Sequence, residues 1–234
     1  MHEELRALFD QARAGLQEAD WDFFEKLRLL VEQANRRMNL TRLTSPRDFY
    51  LKHVLDSWMP FLVLPELRDG PESLLAADLG SGAGFPGLVV ARLRPHWGVA
   101  LIERTQKKAA FLEATAETLG LENVFVVPLD ARDAPGRAEV LRRGCGLVLA
   151  RAVGPLAAVN RAAAALLAPR GLLLHYKGGS LGLEEIEEGR AAARKLGLRQ
   201  GEPCRYTLPG GMKRSAVLVS RPSGRRPAAL HRRS

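Results

Sequence analysis

Apolar positions along the chain follow two different periods, and the change between them falls near residue 70. Residues 3–18, and then the stretch up to Arg37, place apolar side chains three and four positions apart, as amphipathic helices do. Asp20 or Asp22 is expected to cap the second of these helices. Ser45, followed by a proline, predicts the start of a third helix. The first 70 residues are therefore predicted to be helical.

Beyond residue 70, short apolar runs alternate with helical patterns. The predicted strands lie near 73–79, 98–103, 123–130, 146–151 and 171–177, and the predicted helices near 86–94, 105–119, 135–143, 155–168 and 183–196. Such alternation is typical of an α/β domain whose parallel sheet carries helices on both faces. Residues 205–208 and 215–220, separated by a proline and two glycines, predict a hairpin that closes one sheet edge.

This pattern divides the chain into three regions. A helical extension covers 1–70, an α/β domain covers 71–221, and a basic tail covers 222–234. The tail holds four arginines and no acidic residue, and it shows no periodicity, so we predict that it is disordered.

A glycine-rich loop follows the first predicted strand and gives the first chemical clue. The strand ends at Asp78, and Gly80, Gly82 and Gly84 follow at alternate positions, where they let the backbone approach a ligand closely. The dinucleotide pattern G-x-G-x-x-G is met only formally, by Gly82, Gly84 and Gly87, and a carboxylate beside it would repel a diphosphate. A carboxylate suits an ammonium group, and S-adenosylmethionine (SAM) carries an amine and a sulfonium but no phosphate. A plain glycine turn of an α/β protein is the alternative.

Further candidate groups follow the second and third strands. Glu103 ends the second strand, about twenty residues beyond the glycines, where an acid can accept both ribose hydroxyls of an adenosine. The alternative for Glu103 is a solvated acid at a strand end. Phe85 is placed to cover a flat or sulfur-bearing ligand, and the loop at 129–133 can offer backbone groups and a carboxylate to an adenine amine.

Two cations close the fourth and fifth strands. Arg151 and Lys177 each follow an apolar run, and a buried cation needs an anion or a carbonyl as its partner. Either side chain alone could instead reach solvent. In the third predicted helix, Lys52, His53 and Asp56 share one face, where a surface pair is the alternative to a functional site.

Charge and composition narrow the class of partner. Lys and Arg outnumber Asp and Glu by 35 to 26, which gives a net charge of +9 and a pI of about 10.1. This balance favours a polyanionic partner, unless it only reflects a composition rich in Arg. Cys145 and Cys204 offer neither a disulfide framework nor metal-ligand spacing, so no metal is expected. A charged N-terminus and the lack of a long apolar run favour a cytoplasmic protein without a membrane segment.

Several segments together resemble one family. The segments NRRMNLT, KHVLDS, DLGSGAGFPG, IERTQKKAAFL, LARA and YKGG, from Asn35 to Lys177, are similar to those of the RsmG (GidB) family of bacterial 16S rRNA methyltransferases. The later LPGGMKR matches more loosely. The resemblance implies a class I SAM-dependent methyltransferase (Rossmann-like) fold with a mostly parallel seven-stranded sheet and an antiparallel C-terminal hairpin. It also implies methyl transfer to N7 of a guanosine, which would yield 7-methylguanosine in 16S rRNA.

The resemblance also assigns roles to residues. Those expected to bind SAM are Asp78, Gly80, Gly82, Gly84, Phe85, Glu103, Arg104, Thr105, Ala131, Arg132 and Arg151. The family often has an acid where Arg132 stands, so only a backbone contact is expected there. We predict that Arg151 and Lys177 are the catalytic-site cations, and that His53, Asp56, Arg36 and Arg37 contact substrate or RNA.

The implied chemistry needs few groups. Guanine N7 carries an in-plane lone pair, so no proton has to leave and no general base is required; alignment and electrostatics would suffice. The expected partner is 16S rRNA or the small ribosomal subunit, and the chain is expected to act as a monomer. Three alternatives stay open: a class I methyltransferase for a protein or small molecule, a non-catalytic nucleotide- or RNA-binding module, and an NAD-linked dehydrogenase, which Asp78 and Phe85 disfavour.

Overall fold

The structure, a computed structural model, describes residues 2–43 and 45–223, so most of the basic tail lies outside the described residues. The N-terminal region is helical, as predicted. Its helices are α1 (His2–Gln11), α2 (Glu18–Met38), α3 (Pro46–Asp48), α4 (Asp56–Val63) and α5 (Pro65–Arg68), and a π-helical segment, Phe49–Leu55, joins α3 to α4. None of the helices within the described residues is long and apolar enough to span a bilayer.

The predicted boundary between the first two helices is wrong. The first helix ends at Gln11 instead of residue 18, because Arg13 and Gly15 take positive φ values of 55° and 63° and turn the chain. The second helix begins at Glu18, after Gln17, and not after Asp20 or Asp22. Asp20 still stabilises this end, because its carboxylate accepts the N–H of Gln17 at 2.9 Å. The predicted Ser45 cap is confirmed, since its hydroxyl accepts the N–H of Asp48 at 3.1 Å.

The remainder of the described chain alternates between strands and helices. The strands are β1 (Leu75–Leu79), β2 (Gly98–Ile102), β3 (Val124–Val127), β4 (Cys145–Arg151), β5 (Leu167–Gly178), β6 (Arg199–Gln200), β7 (Cys204–Leu208) and β8 (Met212–Ser220). The helices are α6 (Gly87–Leu93), α7 (Gln106–Thr118), α8 (Ala134–Arg137), α9 (Leu156–Ala163) and α10 (Leu183–Lys195), and a 3₁₀ turn covers Glu139–Leu141.

The strands form one sheet in the order β3-β2-β1-β4-β5-β8-β6, and β7 also pairs with β8. The five strands β1 to β5 run parallel, and β8 runs antiparallel to β5. Both β6 and β7 pair with the other side of β8, one after the other along its length. The eight strands therefore occupy seven positions, which confirms the predicted α/β class with its antiparallel hairpin.

Two predicted helices are too long. The one expected at 135–143 shrinks to α8 and a 3₁₀ turn, because a proline and a glycine occupy its first positions. The one expected at 155–168 stops at Ala163, and β5 begins at Leu167 instead of 171. Leu167 pairs with Cys145, and an irregularity in the ladder follows this pair. The strand therefore begins before the apolar run from which it was predicted.

The helical extension shares its core with the sheet. One hydrophobic cluster includes Leu27 of α2, Phe61 of α4, Val89 of α6 and Leu101 of β2. A salt bridge of 2.8 Å, between Arg92 of α6 and Asp20 of α2, fixes the same contact at its edge. The extension therefore covers one face of the sheet and brings the π-helical segment to the carboxyl ends of the strands.

Candidate functional site

The glycine loop after β1 is held in a conformation that needs its glycines. Gly80, Gly82 and Gly84 have φ values of 65°, 57° and 95°, a region that other residues rarely adopt. The loop then enters α6 at Gly87, whose N–H donates to Asp78 Oδ2 at 2.9 Å. A Cβ on Gly87 would lie 2.8 Å from that oxygen, so only glycine lets the helix approach the strand this closely.

Asp78 lies at the base of this loop and is only 1% exposed. Burial raises its pKa to about 7, although the hydrogen bond from Gly87 acts in the opposite direction. Among the residues that the structure describes, nothing forms a hydrogen bond to the second oxygen, Oδ1. A buried carboxylate with an unused oxygen fits a cationic group at the loop, but direct binding of an ammonium by Asp78 stays a prediction.

Glu103 joins the end of β2 to the same loop. Its Oε2 accepts the N–H of Gly82 at 3.0 Å, and its Oε1 accepts the N–H of Thr105 at 2.8 Å. These bonds fix the carboxylate beside the glycines and leave a further lone pair on each oxygen. Two fixed acceptor oxygens fit a vicinal diol such as that of a ribose. The loop and the acid together therefore fit the predicted cofactor.

The other predicted cofactor residues form the rim of this region. Arg104 and Thr105 are exposed at the start of α7, and Ala131 is half-buried in the loop after β3. The side chain of Arg132 turns into its own loop, where it forms a salt bridge of 2.9 Å with Asp130. The expectation that Arg132 contributes no side-chain contact agrees with this geometry, and its role stays a prediction.

Arg151 lies beneath the π-helical segment and is held on several sides. Its Nη1 donates to the carbonyl oxygen of Lys52 at 3.1 Å and lies 3.8 Å from Asp56 Oδ2. Its Nη2 lies 3.2 Å from Nδ1 of His53. The strand-end cation is therefore positioned by the N-terminal region, and the three residues of KHVLDS that the sequence placed on one helix face contribute to it in different ways.

Asp56 is the acid at the centre of a second group of contacts. Its Oδ1 accepts from Arg214 Nε at 3.2 Å and from the hydroxyl of Tyr206 at 3.4 Å. Burial raises the pKa of Asp56, and the guanidinium groups of Arg151 and Arg214 act in the opposite direction. The predicted neighbour Lys52 pairs instead with Asp48 at 2.6 Å. Arg214 and Tyr206 were not predicted as site residues; the only signal for Arg214 was its position in the LPGGMKR segment.

Lys177 occupies the corresponding position at the end of β5. Its Nζ donates to the carbonyl oxygen of Gly154 and to Oε1 of Glu185, each at 2.7 Å. The same carboxylate oxygen accepts the N–H of Leu156, at the start of α9, at 3.0 Å. An ammonium group has three N–H donors, so Lys177 keeps one for a ligand while it fixes the loop after β4.

A cavity of about 250 Å³ opens between these groups at the carboxyl ends of β4 and β5. Its lining residues are Asp56, Arg151, Ala152, Tyr176, Lys177, Gly178 and Arg214. The two predicted cations thus face one space, together with a third cation, an acid and an aromatic ring, but none of the predicted glycine-loop residues lines it. The donors of this cavity fit a polar group with acceptor atoms; that it binds the substrate stays a prediction.

The remaining predicted substrate residues lie elsewhere. His53 is buried, and both of its ring nitrogens have partners, since Nε2 lies 3.0 Å from the hydroxyl of Thr41. In this structure His53 therefore has no ring nitrogen free for a substrate, and its contact with substrate or RNA stays a prediction. Arg36 and Arg37 are exposed at the end of α2, outside the cavity lining, and Arg36 lies 3.7 Å from Glu32. That they contact RNA stays a prediction.

Comparison with known families identifies one that covers most of the chain. Residues 22–204 match the profile of the GidB family, described as rRNA small subunit methyltransferase G. A protein of Deinococcus deserti called ribosomal RNA small subunit methyltransferase G is 39% identical over 207 residues, which cover 86% of this chain and 80% of that protein. A protein of Solibacter usitatus with the same name is 40% identical over 194 residues, covering 82% and 86%.

Solved structures with a similar fold are more distant in sequence. M. jannaschii TYW2, solved in complex with AdoMet, has a TM-score of 0.52 at 16% identity and covers 71% of this chain and 74% of its own. A 16S rRNA (adenine(1408)-N(1))-methyltransferase from Catenulisporales acidiphilia has a TM-score of 0.53 at 15% identity, covering 65% and 87%. At such identities the likeness supports the fold alone, which is that of class I SAM-dependent methyltransferases.

Proposed function

This chain belongs to the family of the rRNA small subunit methyltransferase G and is a SAM-dependent rRNA methyltransferase, and we propose that it methylates N7 of a guanosine in 16S rRNA. The observation that carries the finer proposal is the cavity of about 250 Å³ at the carboxyl ends of β4 and β5, which is lined by the cations Arg151, Lys177 and Arg214. Guanine carries the acceptor O6 beside the reacting N7, so a site rich in donors can hold the base through O6 and leave N7 free.

The residues that would hold SAM are those of the glycine loop, Asp78 and Glu103. When bound, SAM supplies an electrophilic methyl group on a sulfonium. The glycine loop would hold the amino-acid portion, and the carboxylate of Glu103, fixed by the N–H groups of Gly82 and Thr105, would accept from the ribose hydroxyls. Phe85 packs against the π-helical segment and is 4% exposed, so it closes the loop against water.

The cavity residues would position guanine without taking a proton from it. N7 already carries its lone pair, so the reaction needs no side chain that removes a proton. This is consistent with Asp56, the acid of the cavity, being ion-paired with Arg214 and Arg151. Methyl transfer makes the purine cationic, and the carboxylate of Asp56 in the cavity wall would stabilise that charge. An arginine that lines the cavity would donate a hydrogen bond to O6 and not to N7, because a donor directed at N7 would block the reacting lone pair.

The substrate base must leave its stack to enter this cavity. Proteins that modify a base act on unpaired or extruded nucleotides, and the deep, narrow major groove of an RNA helix would keep N7 of a paired guanosine away from such a cavity. Arg151 and Lys177, in the cavity wall, can offer donors to the edge of such a base. We therefore propose an unpaired or readily opened guanosine of the small-subunit RNA as the target.

The test is a mapping experiment. The protein is incubated with methyl-labelled SAM and either naked 16S rRNA or assembled small subunits, and the labelled RNA is cleaved by chemistry specific for 7-methylguanosine. We expect one cleavage site that carries the label. Label at another atom or base would overturn the guanine-N7 proposal, and no label in either RNA would overturn the choice of small-subunit RNA.

We also propose that the protein acts as a cytoplasmic monomer. Its substrate, rRNA, is found in the cytoplasm of bacteria. The large apolar side chains exposed within the described residues are few, and they lie on separate elements or loops: Leu29, Phe125, Val153 and Leu183. Sedimentation at micromolar concentration should give the mass of one chain, and a dimer would contradict this part of the proposal.

A further inference from the structure

His53 connects three parts of the chain that meet at the site. It comes from the π-helical segment, and it contacts Thr41 in the loop after α2, Phe85 in the glycine loop and Arg151 at the end of β4. Only 6% of the residue is exposed, so it is shielded from solvent. A histidine in such a place acts on the reaction only through its neighbours.

Its hydrogen bonds fix the state of the ring. A guanidinium group has donors and no acceptor, so Nδ1, which lies 3.2 Å from Arg151 Nη2, must be the acceptor of that bond. The ring proton is then on Nε2, which donates to the hydroxyl oxygen of Thr41 at 3.0 Å. Burial, and then the charge of Arg151, lower the pKa of His53 to about 3, so the ring stays neutral and keeps its acceptor nitrogen.

The flat face of the ring sets the position of Phe85. The two rings stack with centroids 4.4 Å apart and planes only 9° apart. The guanidinium carbon of Arg151 lies 5.7 Å from the centroid of the same Phe85 ring, and Phe49 packs edge-on against it at 5.6 Å. His53 therefore holds both the ring that closes the glycine loop and the cation that lines the cavity.

We propose that His53 is a positioning residue: it orients the guanidinium of Arg151 and the ring of Phe85, so that the N-terminal region completes the methyl-transfer site. The inference rests on the proposed function, since it assigns Arg151 and Phe85 to the substrate and cofactor sides of that site. A purely structural histidine would contribute to folding stability and leave turnover unchanged. The two roles predict different results for substitutions that preserve one ring nitrogen each.

The test compares His53→Asn with His53→Gln. The amide of Asn reaches the place of Nδ1, and its oxygen can still accept from Arg151; the amide of Gln reaches the place of Nε2 and cannot. Because an error of about 1 Å in a positioned group can cost about 100-fold in rate, we expect His53→Gln to lower kcat by about 10- to 100-fold. His53→Asn should recover most of that loss. The values of kcat and KM for SAM are measured with labelled methyl transfer, beside thermal unfolding.

Equal kcat values in both variants and the wild type would overturn the inference, whatever the change in melting temperature. If His53→Gln does not fold, Thr41→Val gives a second test, because it removes the hydroxyl that orients the ring and touches neither Arg151 nor Phe85. We expect its kcat to fall about fivefold, which is less than for His53→Gln because the histidine ring itself is kept. Unchanged kcat would overturn the inference. Wild-type activity is measured first, and its absence would overturn the proposed function instead.

Discussion

At the residue scale, the most unusual group is the buried carboxyl of Asp78. Its pKa is raised from 3.8 to about 7 because the side chain is buried. The folded protein therefore keeps a proton between pH 4 and 7 that the unfolded chain releases, and linkage requires that the free energy of unfolding falls as pH rises through this window. The loss is at most about 1.4 kcal/mol per pH unit.

We expect Asp78→Asn to remove this dependence. The amide oxygen can still accept the N–H of Gly87, and the amide does not ionise. Urea unfolding at several pH values between 4 and 8 measures the slope for both proteins. The difference between the slopes isolates Asp78 from other groups such as Asp56. Identical slopes would show that the carboxyl titrates at its ordinary pKa and is not buried as the structure has it.

A second prediction at this scale concerns Arg151. Its contacts in the structure make Arg151→Lys a more informative variant than Arg151→Ala. Arg151→Ala would leave the contacts to Lys52 and His53 unmade and would destabilise the fold as well as the site. Arg151→Lys keeps the charge beside Asp56 but cannot reproduce the fork of donors. We expect a drop in kcat/KM of about 100-fold or more, or about 3 kcal/mol, with only a small change in melting temperature. If Arg151→Lys kept the wild-type kcat/KM, the guanidinium group would have no role in methyl transfer.

How much of the site the sequence predicts depends on how far apart its members lie in the chain. Asp78 and the glycines occupy one short segment with a recognisable spacing, and Glu103 follows at a distance set by one helix and one strand. Arg214 contacts Asp56 from 158 positions away, and such a pair leaves no local pattern in a single sequence. His53 was noticed, but its burial depends on how α2 and the sheet pack.

At the element scale, the turn from β1 into α6 depends on the absence of one side chain. A Cβ on Gly87 would meet Asp78 Oδ2 at 2.8 Å and the side chain of Leu101, which packs in the core. We expect Gly87→Ala to lower the free energy of unfolding by about 1–3 kcal/mol, as overpacking does. The affinity for S-adenosylhomocysteine should fall as well, because the loop that would hold it must move. Calorimetry measures the affinity.

Gly136→Ala is the matched control for this prediction. Gly136 lies in α8, and a Cβ built there meets no atom of the described residues within 4 Å apart from its chain neighbours and the backbone of its own helix. The same substitution should therefore leave the affinity unchanged and the stability equal or slightly higher. If Gly87→Ala behaved like Gly136→Ala, the close approach of helix and strand would not be required for the loop.

The regular elements were easier to predict than their ends. The apolar runs of β1, β2 and β4 identified a buried parallel sheet, because strands covered on both faces carry continuous apolar side chains. The π-helical segment gives no distinct sequence signal. Lys52 pairs with Asp48, whereas Asp56 is buried beside Arg151 and Arg214, which come from distant parts of the chain. The two-residue strand β6 is defined only by its pairing with β8.

At the scale of the whole molecule, the site is assembled from both halves of the chain. The cations and the glycine loop belong to the sheet, whereas Asp56, His53 and the carbonyl of Lys52 belong to the helical extension. The hydrophobic cluster shared by the two halves explains why the helical extension keeps a fixed position against the sheet. The division at residue 70 therefore marks a change of pattern in the sequence, and residues from both sides of it line the cavity.

The direction of β8 also determines where the basic tail begins. Ser220 pairs with Leu172, and the N–H of Arg221 donates to Gly171 at 2.9 Å, so the described chain ends beside the start of β5. Lys177 and the cavity lie at the opposite end of that strand. The tail, with its four arginines, therefore begins at the end of β5 that lies away from the cavity. We expect these arginines to affect the affinity for RNA and not the methyl-transfer step.

We expect deletion of 224–234 to weaken RNA binding and to reduce its salt dependence. Each phosphate contact contributes about 0.7 to 0.9 to the slope of log K against log salt concentration, so the loss of even two contacts is measurable. The turnover rate at saturating RNA should not change, because the tail starts away from the cavity. A chain of full length with the four arginines replaced by serine separates charge from length and should match the deletion. An unaltered salt slope in both variants would exclude an electrostatic role for the tail, and a fall in turnover would place it at the site.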